Sequence, residues 1–179
     1  MIFVTVGTDL PFDRMMRVVD SWARDHDRRD VFAQIGEGGW EPEYIEFTHF
    51  LQPPDFKRRF DEASLIISHA GMGTILTALL CGKPILVMPK RASFCEHRSE
   101  HQMATAKCMC ELCLVLVAKD ESQLMSMLNH LPEFIVPGRI VPGRIGPVAS
   151  GSLIDSLHDF ILRSPKMRSA ETSVITKRS

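Results

Sequence analysis

Two histidines and a glutamate stand close together in the segment SFCEHRSEHQMATA, residues 93–106. His97, Glu100 and His101 match the His-x-x-Glu-His spacing of one class of zinc peptidases. Residues four apart share one face of a helix, so the two histidines could bind one zinc ion, although a third ligand is also needed. Two interpretations need no metal: a solvated, charged helix start, or Glu100, His101 and Gln102 directing hydrogen-bonding groups toward a polyhydroxylated ligand.

A second candidate for metal binding is the group Cys108, Cys110 and Cys113, which belongs to a total of 5 cysteines. No second cysteine cluster accompanies it to complete a tetrahedral site. Reduced thiols that behave as small apolar side chains of a helix explain the group more simply. We therefore expect neither a bound metal nor a cofactor.

The segment SHAGMGT, residues 68–74, is the strongest local indication of a ligand site. Gly71 and Gly73 stand between an apolar run and a helical pattern, where small residues let the backbone approach a ligand and helix amides attract phosphate. The segment is not a P-loop, and the third glycine position of the dinucleotide fingerprint is Leu76. A diphosphate site and an ordinary strand-to-helix turn both fit this pattern.

Two further loops carry candidate ligand-binding groups. In VGTDLPFD, residues 6–13, the Thr8 hydroxyl is a candidate phosphate donor, although Thr8 and Asp9 also suit the cap of the next helix. In GEGG, residues 36–39, Glu37 belongs either to a loop over the ligand or to a solvated turn. Each loop alone is weak evidence for a ligand site, and the evidence is stronger if the fold brings the loops to one edge of a sheet.

The elements that must position these residues alternate between strands and helices. Strands are predicted at 1–7, 31–39, 44–50, 64–71, 83–89 and 112–118, and helices after Pro11 and at 53–63, 72–82, 99–111 and 120–131. Continuous apolar strands between helices predict an α/β fold with an open, Rossmann-like parallel sheet covered on both faces. The loops after residues 6, 36, 69 and 89 should then share the edge where ligands bind.

The pattern changes after Leu131. Residues 132–150 contain the repeat IVPGR-IVPGR and predict an extended Pro/Gly connector, since two copies are too few for a solenoid. Residues 151–164 place five apolar residues on one helical face, and 165–179 form a polar tail that we expect to be loose. The predicted domain is therefore 1–131.

Composition restricts the classes of function. The chain has 179 residues and a formal net charge of −1, which gives no electrostatic argument for binding nucleic acid. Its first residues, MIFVTVGTDL, lack the basic start and cleavage site of a signal peptide, and no apolar run approaches the length of a membrane span. We expect a cytoplasmic protein with one core domain.

The segment HAGMGTILTALLCGKPILVMP, followed by EHxxxHQ, resembles the nucleotide-sugar-binding domain of glycosyltransferase family 28. Within it, the sequence is most similar to small bacterial exopolysaccharide glycosyltransferase subunits and to the catalytic subunit of the two-part N-acetylglucosaminyltransferase of the dolichol pathway. The resemblance covers residues 1–131. It implies one half of a GT-B fold, the donor-binding half, with the acceptor-binding half on a separate membrane-anchored polypeptide.

The resemblance also implies roles for individual residues. The sugar is expected at Glu100, His101 and Gln102, and His69, Glu37 and His97 are expected to support the site. Many relatives bind the ribose with a glutamate where this chain has Thr77, which puts the bidentate ribose contact in question. The diphosphate is expected at Gly7, Thr8, Gly71, Met72, Gly73 and Thr74, and the nucleoside at Thr77, Met88, Lys90 and Arg91.

The activity implied is inverting transfer of a hexose, uronic acid or N-acetylhexosamine from a UDP-sugar to a polyprenyl-diphosphate-linked acceptor during exopolysaccharide synthesis. The general base would come from the partner, which would also hold the chain at the inner face of the membrane. Lys90, Arg91 and Arg98 either favour an acidic sugar or form a solvated basic edge. The alternatives are a nucleotide-sugar-binding subunit without activity and a zinc hydrolase that uses His97 and His101.

Overall fold

A computed structural model describes residues 1–111 and 115–131. Six parallel strands form one sheet in the order β3-β2-β1-β4-β5-β6. The predicted open parallel sheet is therefore confirmed, and the carboxyl ends of all described strands lie at one edge. The strands are β1 (Ile2–Thr5), β2 (Val31–Gln34), β3 (Glu46–Thr48), β4 (Leu65–His69), β5 (Ile85–Met88) and β6 (Leu116–Val117).

In the described part of the chain, five α-helices connect or follow these strands and cover both faces of the sheet. Apolar residues of the first and last helices share one core cluster, and those of the three middle helices share another. A short 3₁₀ turn, Ala92–Phe94, follows β5. The helices are α1 (Asp13–Asp25), α2 (Pro53–Glu62), α3 (Met72–Cys81), α4 (His101–Glu111) and α5 (Glu121–Asn129).

Side-chain alternation along each buried strand explains why there are two core clusters. In β1, Ile2 and Val4 pack in the cluster with α1 and α5, whereas Phe3 packs in the cluster with α2 and α3. Successive residues of a strand point to opposite faces, so a continuous apolar run can bury both. Packing on both faces holds the strands in place, and with them the strand ends that carry the candidate site.

One buried and one half-buried acidic side chain of α1 hold the segment between β2 and β3. The Asp20 carboxylate is 3% exposed and accepts hydrogen bonds from the backbone N–H groups of Glu43, Tyr44 and Ile45. Asp13 similarly accepts the N–H of Trp40 at 2.9 Å. Because buried backbone donors need partners, these two carboxylates fix the path of the chain into β3.

Some predicted boundaries differ from the structure, and others lie outside the residues it describes. β3 is shorter than the predicted strand 44–50, because the residues before it follow the Asp20 hydrogen bonds and not the sheet. The predicted strand 112–118 is described only from residue 115. The predicted connector, helix 151–164 and tail lie outside the described residues. Within the described ranges, no helix is long and apolar enough to cross a membrane.

Candidate functional site

A cavity of about 460 Å³ opens at the carboxyl edge of the sheet. Its walls come from the loops after β1 and β3, the start of α2 and the first turns of α3. The volume lies within the range of small-molecule sites, about 300–1,000 Å³. The lining residues are Thr5, Gly7, Thr8, Gln34, Phe50, Leu51, Pro53, Phe56, His69, Gly73, Thr74 and Thr77.

The two loops that the sequence pattern assigned to a diphosphate meet at this cavity. Gly7 and Thr8 line one side, and Gly73 and Thr74, in the first turn of α3, line the other. The first N–H groups of a helix have no partner within it, and this first turn carries no acidic residue. The cavity therefore offers backbone donors, threonine hydroxyls and the positive end of a helix dipole to an anion.

The His69 ring lies between the two glycine loops. A Cβ added to Gly7 would stand 2.3 Å from His69 Nε2, and one added to Gly71 would stand 1.8 Å from Cε1. Gly7 also has φ +84°, in the left-handed region that favours glycine. The histidine ring therefore leaves no room for a side chain at either position, whether or not a ligand is bound.

His69 is held as a neutral imidazole. Burial, followed by the nearby charges of Lys90 and His97, lowers its pKa from 6.5 to about 3. Its Nδ1 atom is buried and has no hydrogen-bond partner among the described residues. A neutral ring at the cavity wall can donate or accept one hydrogen bond without changing the charge of the site.

Gln34 connects two walls of the cavity, a role that no sequence motif indicated. Its side chain is buried, with Nε2 donating to the Gly7 carbonyl at 3.2 Å and Oε1 accepting the Leu51 N–H at 3.3 Å. Gly7 donates its own N–H to Thr5 Oγ1 at 3.3 Å. A buried carboxamide at the end of β2 therefore sets the spacing of the loops after β1 and β3.

The apolar wall of the cavity was also not predicted. Phe50, Leu51, Pro53 and Phe56 form it, and Phe50 remains 49% exposed. The segment FTHFLQPPDF contained the necessary indication, because a strand in this position must end at the same edge as the glycine loops. An exposed aromatic ring beside a polar cavity suits the stacking of a planar group.

Thr77 lies at the cavity, one helical turn beyond Gly73. Its hydroxyl donates to the Gly73 carbonyl at 2.8 Å, so its proton is used within the helix. The hydroxyl oxygen can still accept a hydrogen bond. Thr77 is thus placed to accept a hydrogen bond from a ligand hydroxyl.

The loop after β5 departs from the sequence-based expectation at Gln102. Gln102 is 3% exposed, and its Oε1 accepts the backbone N–H of Lys90 at 3.1 Å. It does not line the cavity, and its contact with the sugar remains a prediction. The inward face of α4 packs against the sheet, and the carboxamide there compensates a buried backbone donor.

The three residues at and after the end of β5 that were predicted to contact the nucleoside do not line the cavity either, and that role remains a prediction. Met88 is fully buried in the core cluster with α1 and α5, because strand alternation directs its side chain to the face of the sheet that these helices cover. Lys90 is 1% exposed and donates to the Leu10 carbonyl from beneath the loop after β1. The Arg91 guanidinium donates to the Lys119 carbonyl at 2.9 Å. Lys90 therefore does not join Arg91 and Arg98 in an exposed basic patch.

An ion-pair network anchors the same loop to the helices below it. Arg14 Nε and Nη2 donate to the two carboxylate oxygens of Glu96 at 2.8 and 2.9 Å, and Nη1 donates to Glu121 at 3.0 Å. Glu96 also accepts the Arg91 N–H at 2.9 Å. The EHxxxHQ pattern therefore begins with a structural glutamate that fixes the loop.

The residues of the zinc pattern are close together but occupied with one another. The rings of His97 and His101 meet edge to face with centroids 4.5 Å apart, and Ser99 hydrogen-bonds to Nδ1 of both. Glu100 accepts the Ser93 N–H at 3.2 Å. Across residues 1–111 and 115–131, no group of three or more acidic, histidine or cysteine side chains is arranged to hold a metal ion.

Four predicted residues lie at the same edge without lining the cavity. Glu37 is exposed in the loop after β2, and Met72, at the first position of α3, is 42% exposed. Glu100 and His101 are exposed at the start of α4. Their assignments, to the diphosphate for Met72, to the sugar for Glu100 and His101 and to support for Glu37, remain predictions.

Comparison with known proteins agrees with this architecture. A UDP-N-acetylglucosamine transferase subunit, ALG13 of Yarrowia lipolytica, is 28% identical over 49% of this chain and 52% of that protein. The chain thus spans about half the length of this curated relative. MurG of Acinetobacter baumannii superposes with a TM-score of 0.61 at 17% identity, covering 89% of this chain and 52% of MurG. A solution structure of ALG13 gives 0.54 at 21% identity, covering 87% and 93%.

These structural matches establish a Rossmann-like half of a GT-B fold. The family comparison is more specific, because the match spans residues 1–134 and includes every described strand and helix. It contains both glycine loops and the loop after β5. The chain belongs to the family defined by the glycosyltransferase family 28 C-terminal domain.

Proposed function

We propose that the cavity binds the UDP moiety of a UDP-sugar and that the chain is the donor-binding subunit of an inverting glycosyltransferase. The observation that carries this proposal is the joint placement of an apolar wall and the two glycine loops in one cavity of suitable volume. The base stacks at Phe50 and Leu51. The diphosphate lies between Gly7-Thr8 and the first turn of α3, where uncharged donors replace a metal ion.

The remaining contacts follow from this orientation. Thr77 accepts a hydrogen bond from a ribose hydroxyl, and His69 stands beside the diphosphate. The sugar extends toward Glu100 and His101 at the start of α4. When an acceptor hydroxyl attacks the anomeric carbon, UDP leaves with the bonding electron pair, and the amides and helix dipole stabilise its growing negative charge.

A partner polypeptide supplies the acceptor site and the general base in this proposal. Exposed apolar residues support a contact surface around the cavity mouth: Leu10 is 36%, Met72 42% and Phe94 54% exposed. They follow β1, β4 and β5, so all three stand at the carboxyl edge. The ALG13 relative is a transferase subunit, which agrees with a divided enzyme. A lipid-linked acceptor and attachment to the inner membrane face through this partner complete the proposal.

The first test is calorimetric titration of the chain with UDP. We expect binding, and we expect Phe50→Ala to weaken it about tenfold, because base–aromatic stacking is worth about 1–3 kcal/mol. Phe94→Ala is the matched control, since Phe94 is equally exposed at the same edge but does not line the cavity. Absence of UDP binding to the folded wild-type chain contradicts the proposed donor site.

The second test measures sugar transfer to a polyprenyl-diphosphate-linked acceptor. A panel of UDP-glucose, UDP-glucuronic acid and UDP-N-acetylglucosamine is used with the chain, the candidate membrane-anchored partner, and both together. We expect transfer only with both, because the general base is supplied by the partner. UDP binding without transfer under all of these conditions would favour a regulatory subunit instead.

A further inference from the structure

Lys90 is a buried lysine beneath the loop after β1, which borders the proposed donor site. Only 1% of its surface is exposed, and its ammonium donates to the carbonyl of Leu10 in the loop after β1. Lys90 follows β5 and Leu10 follows β1, and the contact joins residues that are 80 positions apart in the sequence. Burying an ammonium is costly unless it is paired or performs a function.

The surroundings of Lys90 compensate its charge only in part. Asp9 approaches from the loop after β1 and Glu96 from the loop after β5, while the Phe12 ring lies with its centroid 5.8 Å from Nζ. His69, at the end of β4, also faces it. Glu96 already receives two hydrogen bonds from Arg14 and one from Arg91. The site therefore retains positive character beneath a loop that we assign to the diphosphate.

The loop itself is held from both sides. Gln34, at the end of β2, donates to the Gly7 carbonyl at 3.2 Å, and Lys90 donates to the Leu10 carbonyl. Both side chains donate to carbonyl groups of the loop. They therefore do not occupy the N–H group of Thr8, which can donate to an anion. A loop restrained in this way loses little conformational entropy when an anion binds.

We propose that Lys90 is a positioning residue for the donor diphosphate: it holds the residue 7–10 loop through Leu10 and places a buried positive charge behind it. This inference rests on the proposed donor site. Lys90 acts through the loop and does not line the cavity. A bound dianion should in turn favour the protonated form of Lys90, since binding and protonation are linked.

The proposal predicts opposite effects of pH on stability and on binding. Burial lowers the pKa of Lys90 from 10.5 to about 8, although Asp9 and Glu96 oppose this shift. Between pH 8 and 10.5 the unfolded chain holds a proton at this site that the folded chain has lost, so the contribution of Lys90 to stability rises with pH. The affinity of wild type for UDP should fall over the same interval more steeply than that of Lys90→Gln, because the charge behind the loop disappears in addition to the ionisation of the uracil imide, which both proteins share. A lysine with a purely structural role would leave the two profiles parallel.

The experiment is titration of the intact chain with UDP at pH 8 in two buffers of different ionisation enthalpy. At this pH the phosphates of UDP are fully ionised, because their last pKa lies near 6. His69, with a pKa of about 3, stays neutral. We expect wild type to take up as much as about half a proton on binding, since a group titrated near its pKa is half protonated.

Three variants separate the effect of the Lys90 charge from that of its hydrogen bond to Leu10 and from general effects on the fold. Lys90→Met should bind UDP at least about tenfold more weakly at pH 7, because the loop loses its restraint at Leu10 and the positive charge behind it, and it should abolish this proton uptake. Lys90→Gln keeps a neutral donor and should lose the uptake with a smaller loss of affinity. Lys83→Met is the control: Lys83 donates to the Asp61 and Ala63 carbonyls at the opposite edge, so the uptake should persist.

The outcomes distinguish this inference from the proposed function. If wild type does not bind UDP, the donor site itself is wrong. If wild type binds UDP without proton uptake at pH 8, or if Lys90→Gln keeps both the uptake and the wild-type pH profile, Lys90 has no part in binding. Should Lys90→Met fail to fold, the wild-type and Lys90→Gln titrations still decide the question.

Discussion

Gly71→Ala should unfold more easily than wild type by about 3 kcal/mol and bind UDP at least about tenfold more weakly. The added methyl group would stand 1.8 Å from Cε1 and 2.4 Å from Nδ1 of His69. A methyl group on Cα cannot move to avoid these overlaps. Either the ring or the glycine loop must move. Both line or border the proposed diphosphate site, so stability and affinity should fall together. Urea denaturation and UDP titration measure the two effects.

Gly73→Ala is the matched control, because a Cβ at Gly73 meets no atom within 4 Å. We expect its stability to stay within about 0.5 kcal/mol of wild type or to rise slightly, since alanine is the better helix former. The double variant His69→Ala/Gly71→Ala should be no less stable than His69→Ala alone. If Gly71→Ala is as stable as Gly73→Ala, or if the double variant shows additive losses, the histidine does not occupy the space between the glycine loops.

The neutrality of His69 adds a dependence on pH to the same experiment. Because its folded-state pKa of about 3 lies below 6.5, the unfolded chain binds a proton that the folded chain excludes between these values. The contribution of His69 to stability is therefore complete above pH 6.5 and is lost as the pH falls. His69→Gln should flatten the acid side of the stability profile relative to wild type.

Arg14→Met should lower the free energy of unfolding by about 3–5 kcal/mol, the usual cost of removing one partner from a buried ion pair. The side chains of Arg14 and Glu96 are only 12% and 10% exposed, and their two hydrogen bonds are 2.8 and 2.9 Å long. Without Arg14, the Glu96 carboxylate keeps the Arg91 N–H as its partner but loses its compensating charge. The amide of Arg91 should then exchange hydrogen faster as the loop after β5 loosens.

Glu121→Gln provides the control on the same arginine. The Glu121 side chain is 44% exposed, so its 3.0 Å contact with Arg14 should contribute no more than about 1 kcal/mol. The double variant Arg14→Met/Glu96→Met removes both buried charges and should recover part of the stability lost by Arg14→Met. Equal losses for Arg14→Met and Glu121→Gln would show that the network is a surface ion pair without a role in fixing the loop.

The pattern of strands and helices was predictable because it depends on local composition. Apolar runs such as SLIISHAG and KPILVMP can be buried on both faces only inside a parallel sheet. The edge that carries the loops then follows from strand direction, which is why Gly7, Thr8, Gly73 and Thr74 meet as expected. The ends of the strands were harder to predict from local composition. β3 is shorter than the predicted strand because the residues before it donate hydrogen bonds to Asp20 and not to the sheet.

Side-chain direction was not predictable where several elements meet. Lys90 and Gln102 look like polar surface residues in the sequence, yet both are buried, because partners distant in sequence, Leu10 for one and the Lys90 backbone for the other, compensate them. Phe50 shows the converse, an aromatic residue left exposed at the cavity. Burial of a polar group depends on which donors and acceptors the fold brings near it, and no local pattern records this.

The sequence by itself therefore determined the α/β class, the parallel sheet and the loops that carry the candidate site, since strand periodicity and glycine placement are local properties. Only the tertiary structure decided which members of those loops face the cavity. It made Gln34 a bridge, Lys90 a buried support and Met88 a core residue, and it placed His69 between two glycines. These outcomes depend on packing between strands and loops that are distant along the chain, where one side chain's position fixes the space left to another.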